Sequence, residues 1–257
     1  MVAFLPSSDA LAGVAPVGHV DRRDPELFRP AALTAFARPE TSPHPGPVAP
    51  AAPSVWNPAA CVTDVAPPPH LRRVLADSND RAAWLRARTI GVTASDAARL
   101  ATPNSVKQVA RDKLAGSGFS GNAYTEFGRQ REPEIAAWVL ERHGIEACGL
   151  LFHAERSNLH LATPDGLHCD EDGHVLLAEI KTTNKPWSRI PRHYLRQVWW
   201  QQYVLGAERT LFVWERHENF VVKDAEPRCV WIDRDEHEIG RLVTLADQVL
   251  ELMSMYE

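Results

Sequence analysis

The stretch 163-TPDGLHCDEDGHVLLAEIKTT-183 sets one acid, Asp165, just behind a proline and a second acid with a lysine, Glu179 and Lys181, two residues apart in an apolar run. The run 174-HVLLAEIKTT-183 reads as a strand, and the "DEDG" before it as a hairpin turn. Side chains alternate along a strand, so Glu179 and Lys181 share one face while Ile180 points to the other, into a core. A hairpin joining 163–167 to 175–181 brings Asp165 beside Glu179. Two carboxylates and an ammonium then meet at one edge of a sheet. A charged pair inside an apolar strand costs desolvation free energy unless a partner or a metal compensates it. Two hard oxygen ligands suit Mg²⁺, or Mn²⁺, and a lysine beside them can stabilise an attacking hydroxide or the charge developing on a phosphate. That set fits hydrolysis of a phosphodiester. The spacing alone also fits a surface hairpin with an ordinary ion pair.

Working outward, helical and strand patterns alternate. Residues 78-SNDRAAWLRARTI-90 open with cap residues and carry Trp84, Leu85 and Arg88 at helical spacing. The stretch 91-GVTASDAARLA-101 predicts a turn capped by Thr93 or Ser95 and a short helix. A long helix is expected over 124-YTEFGRQREPEIAAWVLERHG-144, closed by Gly144. Two strands meeting at "SN" are expected in 150-LLFHAERSNLHLATPDG-166, and a second strong helix in 191-PRHYLRQVWWQQYVLGA-207. Single strands follow at 209-RTLFVWERH-217 and 220-FVVKDAEPRCVWID-233, then a closing amphipathic helix from Arg234. The order predicts one α/β domain, a central mixed β-sheet flanked by helices.

Ahead of that domain the composition changes. Fourteen of the 20 prolines fall in residues 1–70, a segment that cannot sustain helix or ladder hydrogen bonds and buries little. Residues 1–70 are expected to be a mostly disordered Pro/Ala-rich leader, with a short helix in 24-DPELFRPAALTAFA-37, and 71–257 the folded domain. The chain has 257 residues, of which 44% are hydrophobic, enough for one sizeable core. No run of 18 apolar residues predicts a membrane span, and no basic n-region precedes the apolar start. The four cysteines are scattered without a CxxC pair, so a reduced, cytoplasmic setting is expected. The net charge of −5 offers no general attraction for nucleic acid, so DNA contact requires a local basic patch. His168, His174 and His193 show no zinc-ligand spacing and are read as loop residues.

Four segments in order, "AAWLRARTIGVTASDAARL", "EFGRQREPEIAAWVLERHG", "LATPDGL…LLAEIKTT" and "RQVWWQQYVLGAERTLFVWE", give a chain that resembles the YqaJ-like viral recombinase domain. That is the family of phage lambda exonuclease, within the PD-(D/E)xK nucleases. The resemblance covers about residues 75–235. It implies a restriction-endonuclease-like core and a Mg²⁺-dependent DNA exonuclease. It further implies 5′→3′ action on double-stranded DNA that yields single strands for recombination or repair. It makes Asp165, Glu179 and the Ile180 carbonyl metal ligands, with Glu132 on the long helix facing the metals. Glu134 is the rival acid on that helix. Lys181 becomes the catalytic lysine and Gln197 its orienting neighbour, while the role of Gln201 stays open because Trp199 breaks the usual glutamine pattern. Arg88 and Ser95 are implied to bind the 5′-phosphate, with Thr163 touching phosphate. Duplex DNA, a single-strand annealing protein and a second and third copy of the chain are the implied partners. An endonuclease of the same chemistry, or a Cas4-like nuclease, is the alternative. The latter requires a cysteine cluster near the end, and only Cys229 lies in the last 80 residues.

Overall fold

The computed structural model describes residues 68–116 and 121–256, all within one compact unit, Val62–Glu257. Most of the expected leader, its helix at 24–37 and Cys61 lie outside the described residues. A 3-10 turn, Pro69–Arg73, leads into β1 (Val74–Asp77), α1 (Arg81–Thr89), β2 (Val92–Thr93), α2 (Ala94–Arg99) and α3 (Pro103–Leu114). Then come α4 (Ala123–His143), β3 (Glu146–Ala147), β4 (Leu150–Ala154), β5 (Ser157–Ala162), β6 (Gly166–Cys169) and β7 (Val175–Thr183). The chain continues through α5 (Arg192–Leu205), β8 (Arg209–Glu218), β9 (Val221–Val222) and β10 (Arg228–Asp233) to α6 (Glu236–Ser254).

The mixed central sheet has the order β10-β8-β7-β6-β3, with β9 pairing off β8. Its β7 and β8 run parallel, in register from Leu176↔Arg209 to Thr183↔Arg216. Parallel neighbours need a crossover, and α5 is that crossover. A second sheet, β1-β4-β5-β2, adds to the single sheet expected. Alternation along β7 divides the core in two. Ala178 and Ile180 pack with Leu211 and Val213 against Ile135, Ala136 and Val139 of α4. On the other face Val175, Leu177 and Phe212 meet Val198, Trp199 and Trp200 of α5 and the apolar stripe of α6. Each large side chain removed from water there contributes about 1.5–3 kcal/mol.

Local chemistry explains the element ends. Asp80 caps α1, and Thr93 with Asp96 forms a capping box at α2. Gly144 and Gly206 close α4 and α5 in left-handed conformations, at φ 68° and 76°. Pro133 lies inside α4, where it removes one helical hydrogen bond beside Glu132. The end of α5 is also held by two arginines from distant segments. Arg73 donates to His153 O at 2.7 Å, to Val204 O and to Leu205 O at 3.4 Å, and Arg234 donates to Gln202 O at 2.7 Å and Ala207 O at 3.2 Å.

Three details depart from the sequence reading. The β4–β5 turn falls at Glu155–Arg156, since Ala154 already pairs with Ser157. The expected strand over 220–233 is two strands, and Pro227, which cannot donate to a ladder, stands just before β10. Helix α3, not assigned from the sequence, packs on α6.

Candidate active site

Asp165 immediately precedes β6, whose register pairs Gly166 with Ala178, so the next position outward sets Asp165 against Glu179. The Ile180 N–H, beyond the β6 ladder, donates to Asp165 Oδ2 at 2.7 Å, and Asp165 O accepts from Cys148 N at 3.0 Å. Asp165 is thereby fixed by backbone on both sides. Glu179 is fully buried. Its Oε1 accepts from Gln197 at 2.5 Å and meets the Lys181 ammonium, while its Oε2 accepts from Gln201 at 2.6 Å. Both glutamines lie one turn apart on α5 and share a face. A buried carboxylate with this many partners is tolerated where an isolated one would not be.

The field around the trio is markedly acidic. Burial, then Glu179, pushes the Asp165 carboxyl well above its ordinary range, with Glu132 adding and Lys181 opposing. Burial likewise raises Glu132, with Lys181 opposing and Glu179 adding. Glu132 is therefore the α4 acid that senses the cluster, whereas Glu134 turns outward to pair with Arg131. Burial alone would lower Lys181, but Glu179 and then Asp165 push it above its ordinary value. Three carboxylates facing one lysine leave net negative charge that a divalent cation would neutralise, and their oxygens are hard donors. The residues thus fit Mg²⁺ or Mn²⁺.

A second group stands beside this one. Trp84 lies between two guanidiniums, Arg88 at 4.2 Å and Arg81 at 4.9 Å from its ring, and its Nε1 donates to Thr163 Oγ1 at 3.3 Å. Thr163 is two residues from Asp165, so α1 is tied directly to the acidic hairpin. Lys113 of α3 braces the pair of helices, donating to Arg88 O at 3.1 Å and to Asp96 at 2.9 Å. Burial lowers the Arg88 guanidinium from its ordinary value, Asp96 opposing and Arg81 adding. Thr93, not Ser95, is the cap of α2, which leaves the Ser95 hydroxyl exposed on the first turn.

Several contributors went unseen in the sequence. Arg81 and Lys113 carry no spacing signal that separates them from surface charges. Gln201, whose role the sequence leaves open, reaches Glu179 directly. Trp199 and Trp200 are buried in the core. His168 lies in β6 and His193 in α5 rather than in loops. His174 sits in the β6–β7 turn with Asp170 and Asp172, their donor atoms within 4.8 Å of one another and all exposed. Asp170 Oδ1 accepts from His174 N at 2.8 Å and Oδ2 lies 2.9 Å from its Nδ1, so turn geometry accounts for that group.

Asp165, just ahead of β6, thus meets Glu179 and Lys181 of β7 on a mixed sheet that has α4 and α5 on its two faces. Residues 83–208 match the model of the YqaJ-like viral recombinase domain. No curated protein matches the chain significantly. Among solved structures the chain is similar to an alkaline exonuclease, LHK-Exo, from Laribacter hongkongensis. The identity is 27% and the TM-score 0.52, over 67% of this chain and 92% of that one. A structure of LHK-Exo in complex with dAMP gives 25% identity and the same TM-score and coverage.

Proposed function

We propose that the chain is a Mg²⁺-dependent exonuclease that degrades one strand of double-stranded DNA from a 5′ end. The observation that carries this reading is the buried Glu179, clamped by Lys181, Gln197 and Gln201 beside a backbone-fixed Asp165. The similarity to an alkaline exonuclease supports it. Asp165, Glu179 and the Ile180 carbonyl would hold a divalent ion, with Glu132 facing it, and the bound ion would supply a polarised water and charge neutralisation at the phosphate. The protein's own groups then divide the remaining tasks. Gln197 and Gln201 keep the Glu179 oxygens in one orientation. Lys181 presents a fixed positive charge where negative charge develops on the phosphate. Arg88, stacked on Trp84, grips the terminal phosphate through its fork of donors, and Thr163 and Ser95 offer hydroxyls to it. A single-strand annealing partner and a ring-shaped homo-trimer enclosing the duplex belong to the same reading through the family alone.

Rates on linear duplex with 5′-phosphate, linear duplex with 5′-hydroxyl and closed circular DNA, each in Mg²⁺ and in EDTA, test it. The phosphorylated linear form is expected to be cut fastest, and EDTA to stop all cutting. Arg88→Ala is expected to remove most of the phosphate preference, because a charge-assisted contact contributes about 1.5–3 kcal/mol. Prompt nicking of the closed circle, or a wild-type preference near one, would replace the exonuclease with an endonuclease of the same chemistry.

A further inference from the structure

The sheet face that carries Glu179 and Lys181 does not end at β7. Register pairs Glu179 with Phe212 and Lys181 with Trp214 on β8, and pairs Val230 of β10 with Phe212. Residues paired across adjacent strands point to the same side. Trp214 and Val230 therefore continue the catalytic face sideways to the edge strand, roughly 10 Å or two strand spacings from β7. The β7–α5 loop borders this floor and lines an open groove of about 290 Å³ with Trp187, Arg189 and Ile190 against Trp214 and Val230. That volume is just under the span of about 300–1,000 Å³ typical of small-molecule sites, so it suits one planar ring rather than a whole cofactor.

The groove is joined to the site through aromatic rings. Trp187 lies 5.3 Å from Tyr194 and 6.3 Å from Trp214, and the Lys181 ammonium lies 5.6 Å from the Tyr194 ring. Its charge is as distinctive as its shape. Residues 184–193, NKPWSRIPRH, hold Lys185, Arg189, Arg192, His193 and no acid, in a chain of net charge −5. Arg192 is engaged by Glu238 at 2.8 Å. Lys185 and Arg189 are exposed, and neither side chain has an acidic partner among the described residues.

We infer that this groove is a base-stacking site for single-stranded DNA, in which an unpaired base beyond the scissile phosphate stacks on Trp187 while Arg189 and Lys185 meet the adjoining backbone. The inference rests on the proposed nuclease reading. Apolar rings interleaved with cations are what an unpaired strand requires, because every base has a stacking face and every linkage a negative charge. A base lodged there holds the strand away from its complement on the same face that presents Glu179 and Lys181.

Binding in EDTA separates this site from the chemistry. A labelled oligo-dT and an abasic strand of equal length, which has the same phosphates but no bases, are titrated against the full chain. The wild type is expected to prefer oligo-dT about 10-fold. Trp187→Ala should abolish that preference while leaving the abasic strand's affinity unchanged, and Trp187→Phe should restore most of it. Arg189→Ala should weaken both strands and reduce the salt dependence by about one phosphate contact. Equal wild-type affinity for the two strands overturns the proposal, as does a preference that survives Trp187→Ala. A Trp187→Ala change that alters sedimentation and not oligo-dT binding would instead assign the groove to a second copy of the chain. Cutting without a base preference refutes only the groove, and a Trp187-dependent preference without cutting refutes only the nuclease reading.

Discussion

Glu179 is the residue on which the site turns. It lies in the middle of β7, out of water, and every neighbour that makes it tolerable is a functional candidate. On the proposed reading, removing it or Asp165 takes away a hard oxygen ligand, so Asp165→Ala and Glu179→Ala are expected to abolish hydrolysis while duplex binding in EDTA survives. Lys181→Ala is expected to slow single-turnover cutting by about 10²-fold or more, the scale of a lost electrostatic stabiliser, with little change in the Mg²⁺ concentration needed. Near-normal turnover in that variant would reduce the lysine to a structural ion pair. Period-two alternation in the sequence was enough to set Glu179 and Lys181 on one face and Asp165 across from them. It could not show Gln201 at Glu179, nor Trp84 held between Arg81 and Arg88, because those contacts join residues that only the fold makes neighbours. Likewise only the packing of α4 on β7 turns Glu134 outward to Arg131.

Among the elements, α4 is legible from its closing Gly144, α5 and α6 from apolar residues at helical spacing, and the β6–β7 hairpin from its turn and its alternation. Helix α3 had its signals too: Thr102 before Pro103 at the first turn, Ser105 completing the capping box, and Val106, Val109 and Ala110 buried on one face. Two-residue strands such as β2 have no period to read. Yet β2 carries a strict constraint, since Val92 and Thr93 pair in parallel with His160 and Leu161. A β-carbon added at the preceding Gly91 would lie 2.2 Å from Leu159 O and 2.9 Å from Leu161 Cδ1. Backbone cannot yield there cheaply. Gly91→Ala is expected to destabilise the fold by about 2 kcal/mol or more, a fall in Tm of roughly 4–8 °C by calorimetry. Because β2 leads directly into α2, cutting should fall in step with stability. An unchanged Tm would mean that β2 is not held as tightly as its spacing implies.

At the scale of the molecule, composition sets an expected start for the domain at residue 71. His70 is buried with its ring 6.2 Å from that of Phe152, so at least one residue ahead of the expected 71–257 packs with the domain. A chain beginning at residue 68 is expected to keep the full Tm and cutting rate, since the residues removed have a composition that cannot offset the entropy of ordering. One beginning at residue 74 is expected to lose both, because Arg73 is gone from the end of α5. Equal behaviour of the two shortened chains would show that Arg73 contributes nothing there. Among the described residues no helix is long and apolar enough to cross a membrane. The two arginines at the end of α5 also bear on synthesis. The helix that carries Gln197 and Gln201 obtains one latch from the start of the domain and the other from Arg234, close to the chain's last helix. A nascent chain still on the ribosome, with Arg234 inside the exit tunnel, holds the end of that helix by the Arg73 latch alone. The end of the helix that bears the two glutamines is therefore fully latched only once Arg234 has emerged, and a product cut short before it carries the acids with that helix half secured.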